Sequence, residues 1–204
     1  MYPVCRSCLQ KKYLTLVTQN NSCTASRSQS IIKHLDKLVP LFSYRLWNKE
    51  LMFIWKSLEV RSLSDLFAQI LNLALKQLEA NFIVPVPPRK GKIKEKGWDQ
   101  IDEICSLLEY RYGYKVLHLL ERRTRVQQKT LDREGRMQQI GKAYFSVPAH
   151  EFKKQLKPYG YALPQRVVLV DDVCTTGSTL ESCAAILKEA GIKEVTGLTL
   201  FSVD

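Results

Sequence analysis

No apolar run in this chain of 204 residues approaches the roughly 20 residues that a membrane-spanning helix needs, so no membrane insertion is expected. The opening stretch, Met1-Tyr2-Pro3-Val4-Cys5-Arg6-Ser7-Cys8, lacks both the basic region and the apolar core of a secretory signal, and a cytoplasmic location is expected. Cysteine is sparse. Six thiols without an export signal argue for reduced cysteines or a metal site over a disulfide framework. Acidic residues are also short in number: 20 Asp and Glu stand against 31 Lys and Arg, a formal charge of +11. That excess favours polyanionic partners, whether pyrophosphate groups, nucleotides or nucleic acid, and does not choose among them. There is no internal repeat, no low-complexity tract, and no residue that stands out as a general acid or base. What remains is an ordinary soluble composition, 45% hydrophobic and 25% charged, with room for one core and a small appendage.

The most informative stretch is Val167-Val168-Leu169-Val170-Asp171-Asp172-Val173-Cys174-Thr175-Thr176-Gly177-Ser178-Thr179. Four consecutive apolar, mostly β-branched residues predict a strand covered on both faces. Leu180, Cys183, Ala184 and Leu187 recur at helical spacing and Gly191 stops the run, which predicts a helix after the turn. Gly177 lets the backbone approach a ligand, and the amides of Thr175 to Thr179 at the helix start suit a phosphate. Asp171 and Asp172 are acceptor-only and repel phosphate, but suit sugar hydroxyls or a hard cation such as Mg2+. A capped strand-to-helix turn is the simpler alternative. A cap needs one hydroxyl, however, not a string of them beside two acids.

Around this stretch the chain alternates. A helix is expected over Ser62 to Leu78 with Ser62 and Ser64 as caps, then a strand from Phe82 to Val86, a helix around Ile101 to Leu108, and strands at Tyr114 to Leu119, Ala143 to Val147 and Val195 to Phe201. Such an order predicts an α/β fold, a mostly parallel sheet with helices on both faces and ligands at the carboxyl ends of the strands. Residues 1–38 form a separate cysteine-containing segment and 39–204 the main domain. Two basic runs, Arg89 to Lys96 and Arg122 to Lys129, are either solvated loops or phosphate contacts. Trp98, between Lys96 and Gln100, either stacks on a base or packs against the next helix.

Residues 167–179 resemble the phosphoribosyl pyrophosphate (PRPP) signature of type I phosphoribosyltransferases. That resemblance implies that Asp171 and Asp172 hold the ribose hydroxyls, with Mg2+ present, and that Thr175, Thr176, Gly177, Ser178 and Thr179 hold the 5-phosphate. Further motifs narrow the likeness to the ComF family of competence-associated relatives: Val84-Pro85-Val86-Pro87, Lys96-Gly97-Trp98-Asp99-Gln100, and Arg122 to Leu131 followed by Arg133-Glu134-Gly135-Arg136. Lys96 and Asp99 depart from the family's usual Arg and Asn. The resemblance implies a pyrophosphate loop at Pro87, Pro88, Arg89 and Lys90, and a basic hood containing Arg122, Arg123, Arg125, Gln127, Gln128 and Arg133. It implies a PRPP-binding accessory factor in competence and DNA uptake, handling single-stranded DNA on the cytoplasmic side with helicase-type partners. The alternative is an active phosphoribosyltransferase that transfers ribose 5-phosphate to an unidentified acceptor.

Cys5-Arg6-Ser7-Cys8 has the two-residue gap of a zinc knuckle, and Cys23 follows, with Ser26 where a fourth sulfur is expected. Cys5, Cys8 and Cys23 are therefore candidate Zn2+ ligands, and His34 is a candidate fourth. Cys105 and Cys183 lie on apolar helix faces as small core residues. Cys174 sits inside the expected phosphate loop as filler or, by its place at a helix start, as a thiol of lowered pKa.

Overall fold

The computed structural model describes residues 33–43, 47–123 and 143–203. Val167 to Val170 are all buried and form the middle of strand β6 (Arg166–Cys174). Side chains alternate along a strand, and these four do so: Val168 and Val170 join one hydrophobic cluster, Val167 and Leu169 another. The first cluster holds helices α1 (Trp47–Lys56), α2 (Ser62–Gln77) and α4 (Gln100–Tyr112) through Met52, Trp55, Phe67, Leu71, Ile104 and Leu108. The second holds α6 (Ser178–Glu189) through Leu180, Cys183, Ala184 and Leu187. The sheet is thus covered on both faces, as its apolar strand requires.

The sheet has five strands in the order β1-β7-β6-β2-β3, every pairing parallel: β1 (Lys37–Ser43), β2 (Phe82–Pro85), β3 (Lys115–Val116), β6 and β7 (Glu194–Ser202). From β2 the chain crosses to β3 on one side, whereas β6 pairs with β2 on the other. The connections leaving β2 and β6 therefore part at their carboxyl ends. In open α/β sheets such a reversal leaves a crevice where ligands bind. The mostly parallel sheet with helices on both faces is the expected architecture.

Several elements differ from expectation. Strand β1 is absent from the sequence reading because Pro40 interrupts its pattern. It pairs only with β7, and an edge strand tolerates proline. Its span, Lys37–Ser43, crosses residue 38. The expected caps of α2 do not act: Arg61 holds the N-cap position without a side-chain bond, and Ser64 Oγ instead accepts a hydrogen bond from Trp55 Nε1 at 2.9 Å. Tyr114 to Leu119 shortens to β3, with Leu117 N–H extending the pairing to Ile83 O at 2.8 Å. The strand expected at Ala143 to Val147, β5 (Tyr144–Ser146), lies outside the parallel sheet and pairs antiparallel with β4 (Leu120–Arg122). The first basic run is not an open loop, since Lys92–Lys96 form a short helix, α3. Helix α5 (Ala149–Leu156) follows β5. Among the described residues no helix is long and apolar enough to cross a membrane.

Candidate functional site

Strand β6 does not stop at its apolar run but continues through Asp171 and Asp172 to Cys174, in register with β7 from Asp171 opposite Thr199 to Cys174 opposite Ser202. The two carboxylates are thereby held on a paired strand. Both line a cleft of about 620 Å³ together with Pro87, Pro88, Arg89 and Lys90 from the end of β2, Lys92 and Asp99, Arg122 and Tyr144 from the β4–β5 hairpin, and Thr179 from α6. The crevice between β2 and β6 is thus the meeting place of motifs that lie far apart in sequence.

The acids differ. Burial raises the pKa of Asp171, and the neighbouring charge of Asp172 raises it further; the backbone N–H of Asp172, which donates to Asp171 Oδ1 at 2.8 Å, and the charge of Lys56 act against this. Asp172 instead forms an ion pair with Lys56 at the end of α1. Sequence reasoning missed Lys56 because a lysine in the last turn of a helix is commonplace. Only the packing of α1 brings it to the strand end.

The turn into α6 carries the residues expected at the phosphate. Gly177 takes φ 77°, the left-handed region that favours glycine, and stands at the N-cap with no side-chain bond to the helix amides. Thr176 and Ser178 hydroxyls bond each other at 2.8 Å. Thr176 Oγ1 accepts a long hydrogen bond of 3.4 Å from the Ser178 amide, a weak contact that a phosphate oxygen could replace. Of the five expected phosphate residues, Thr175 and Thr176 are exposed, Gly177 and Ser178 are buried, and Thr179 lines the cleft and shares a hydrogen bond with Tyr144. Tyr144, another missed residue, has its pKa raised chiefly by burial.

Cations surround the opposite wall. Arg89 pairs with Glu95, its Nη1 donating to Oε1 at 3.1 Å. Lys92 donates to Asp99 Oδ2 at 2.5 Å and also to Gln100. Asp99 is the N-cap of α4, accepting from the amides of Ile101 at 3.0 Å and Asp102 at 3.1 Å. Asp at this place is physically close to the family's Asn, since both are strong N-caps. From the second basic run Arg122 enters the cleft, and its Nε is buried without a hydrogen-bond partner among the described residues. Arg123 turns away, bonding Glu121 at 2.8 Å and covering the Phe145 ring at 5.2 Å. Arg125, Gln127, Gln128 and Arg133 lie outside the described residues.

Of the alternatives open for Trp98 and Cys174, the structure favours the packed one at both. Trp98 is only 7% exposed and belongs to the core, with the Arg61 guanidinium 5.4 Å from its ring centroid, so no face is left for a base. Cys174 is buried, and burial raises its thiol pKa despite the hydrogen bond from Gly177 N–H. Desolvation outweighs the helix terminus there. Cys105 and Cys183 are buried core residues, as expected, and burial pushes both thiols up.

Cys5, Cys8 and Cys23 lie outside the described residues. Among the described residues no group of three or more His, Cys, Asp or Glu is placed to hold a metal ion. His34 Nδ1 is 2.7 Å from Glu181 Oε1, which leaves Nε2 as its nitrogen for any ligand. At the cleft, two carboxylates offer Mg2+ only part of its octahedron. They fit an ion whose remaining ligands are water and phosphate oxygens, the usual arrangement for Mg2+ at a phosphate-bearing substrate.

Residues 160–203, which take in β6, its turn, α6 and β7, match the Phosphoribosyl transferase domain family. The chain is 26% identical over 138 residues to Competence protein ComFC of Streptococcus pneumoniae, covering 68% of this chain and 56% of that protein. It is 31% identical over 116 residues to Competence protein F of Haemophilus influenzae, covering 55% of this chain and 46% of that protein. The chain thus spans about half the length of the curated relatives it matches. Parallel sheet, domain match and competence relatives agree: the chain has a phosphoribosyltransferase fold and is similar to ComF proteins.

Proposed function

We propose that the cleft binds PRPP, or a related ribose 5-phosphate compound, and that the protein serves as an accessory factor in competence, handling single-stranded DNA during uptake on the cytoplasmic side. The observation that supports the reading most is the convergence of an acid pair, a weakly capped helix start and a cationic wall on one cleft at the strand switch point. The 5-phosphate would take the α6 amides, the ribose hydroxyls Asp171 and Asp172, and the pyrophosphate Arg89, Lys90 and the unpartnered Nε of Arg122. Mg2+, when bound with the ligand, supplies charge neutralisation at the pyrophosphate oxygens. The names of the two relatives support the competence role, and the charge of +11 suits a polyanionic partner such as single-stranded DNA.

Calorimetry of the full chain with PRPP and Mg2+, run beside a single-stranded oligonucleotide, tests both halves separately. Mg2+-dependent PRPP binding is expected, weakened more than about tenfold by Asp171→Ala with Asp172→Ala. Absence of PRPP binding at millimolar ligand overturns the first half, and absence of oligonucleotide binding at low salt overturns the second.

A further inference from the structure

Among the described residues, Lys56 is seated on the acid pair itself. Its ammonium pairs with Asp172, with side-chain exposures of 34% and 19%, and its charge also reaches Asp171. The seat is fixed. Lys56 ends α1, whose Met52 and Trp55 are buried in the core, and Trp55 is further tied to Ser64 at 2.9 Å. Arg89 and Lys92, by contrast, are paired with Glu95 and Asp99. Adjacent carboxylates at a strand end would by themselves attract a divalent ion, yet here a fixed positive charge already occupies one of them.

We propose that Lys56 is the resident counter-ion of the acid pair and sets its metal selectivity, denying the carboxylates to a free divalent cation so that Mg2+ enters only as a chelate of the phosphate-bearing ligand. The second half of this statement rests on the PRPP reading of the cleft; the first concerns the chain alone. The physical reason is repulsion. A dication at the acid pair would lie within a few ångströms of the ammonium, and even at water-like screening a unit charge about 5 Å from a dication changes its affinity by roughly tenfold or more. A ligand that brings its own phosphates cancels that repulsion, because the ammonium can then exchange Asp172 for a ligand oxygen.

The test uses Mn2+ as a paramagnetic stand-in for Mg2+, titrated into the full chain without other ligand and followed by electron paramagnetic resonance. Lys56→Gln is expected to bind one Mn2+ about tenfold more tightly than wild type. Lys56→Met, which keeps the apolar stem, should do the same, and Lys56→Arg should behave as wild type. Adding Asp172→Asn to Lys56→Gln should remove the gain. Equal Mn2+ affinity in wild type, Lys56→Gln and Lys56→Met overturns the proposal, as does a gain that survives Asp172→Asn. Neither outcome involves PRPP, so failure here is distinct from failure of the PRPP reading.

Discussion

Ionisation of Asp171 is opposed first by burial and then by the charge of Asp172, against which the Asp172 amide and Lys56 only partly compensate. A carboxyl with a raised folded-state pKa contributes stability that is complete below its unfolded value, about 3.9, and is lost as pH rises through the raised value. Asp171→Asn cannot ionise. Its urea midpoint should therefore fall less than that of wild type across the alkaline side of that transition, and parallel pH dependences of the two proteins would contradict the assignment. Trp98 gives the second test at this scale. A Trp in the core is expected to cost about 3–5 kcal/mol on truncation to Ala, whereas Trp98→Phe should leave oligonucleotide affinity unchanged. Loss of that affinity in a folded Trp98→Phe protein would return Trp98 to the ligand. Residue identity alone did not separate these roles: Trp98 closely follows a basic run, and only its burial assigns it to the core. The two readings of Cys174 stayed open for the same reason, since helix-start position is visible in sequence and desolvation is not.

The elements most legible in the sequence were those whose pattern is set by local geometry. The doubly covered strand, the α6 periodicity ended by Gly191, and the amphipathic α2 all follow from apolar spacing. Elements whose partners are remote were not. Strand β1 depends on an edge position that tolerates Pro40, and β5 leaves the main sheet for β4, a choice no local pattern encodes. One contact between remote elements bears directly on the phosphate helix. Glu181, in the first turn of α6, accepts the backbone N–H groups of Lys33 and His34 at 2.9 Å and of Leu35 at 3.1 Å, and its Oε1 is 2.7 Å from His34 Nδ1. Burial acts to raise the Glu181 pKa, but these bonds outweigh it and the net shift is downward. The clamp is therefore present above the unfolded value of about 4.3 and is lost as pH falls through the lowered one. Hydrogen exchange at Lys33 to Leu35 should be faster in Glu181→Gln than in wild type at neutral pH, and the difference should vanish in acid. Equal exchange at neutral pH would show that the clamp does not hold these residues.

At the scale of the whole molecule, the charge of +11 is unevenly spent. Arg89, Lys92, Lys96 and Arg123 are paired with Glu95, Asp99, Glu59 and Glu121, while Arg122 lines the cleft with a buried Nε that has no hydrogen-bond partner among the described residues. If single strands cross this face, binding weakens with salt at a slope of about −0.7 per neutralised phosphate, and Arg122→Ala should flatten it by roughly one contact while Arg123→Ala changes it less. Equal effects of the two would mean that contact is by diffuse charge, without use of the cleft.

In the proposed function, one cleft holds a phosphorylated ribose between two anion seats, the α6 start and the Arg89–Lys90–Arg122 wall. Parallel calorimetric titrations of PRPP, ribose 5-phosphate and pyrophosphate, each with Mg2+, test it most directly. PRPP engages both seats and should bind at least about tenfold more tightly than either fragment; pyrophosphate binding as tight as PRPP, or no binding of any of the three, would contradict the account.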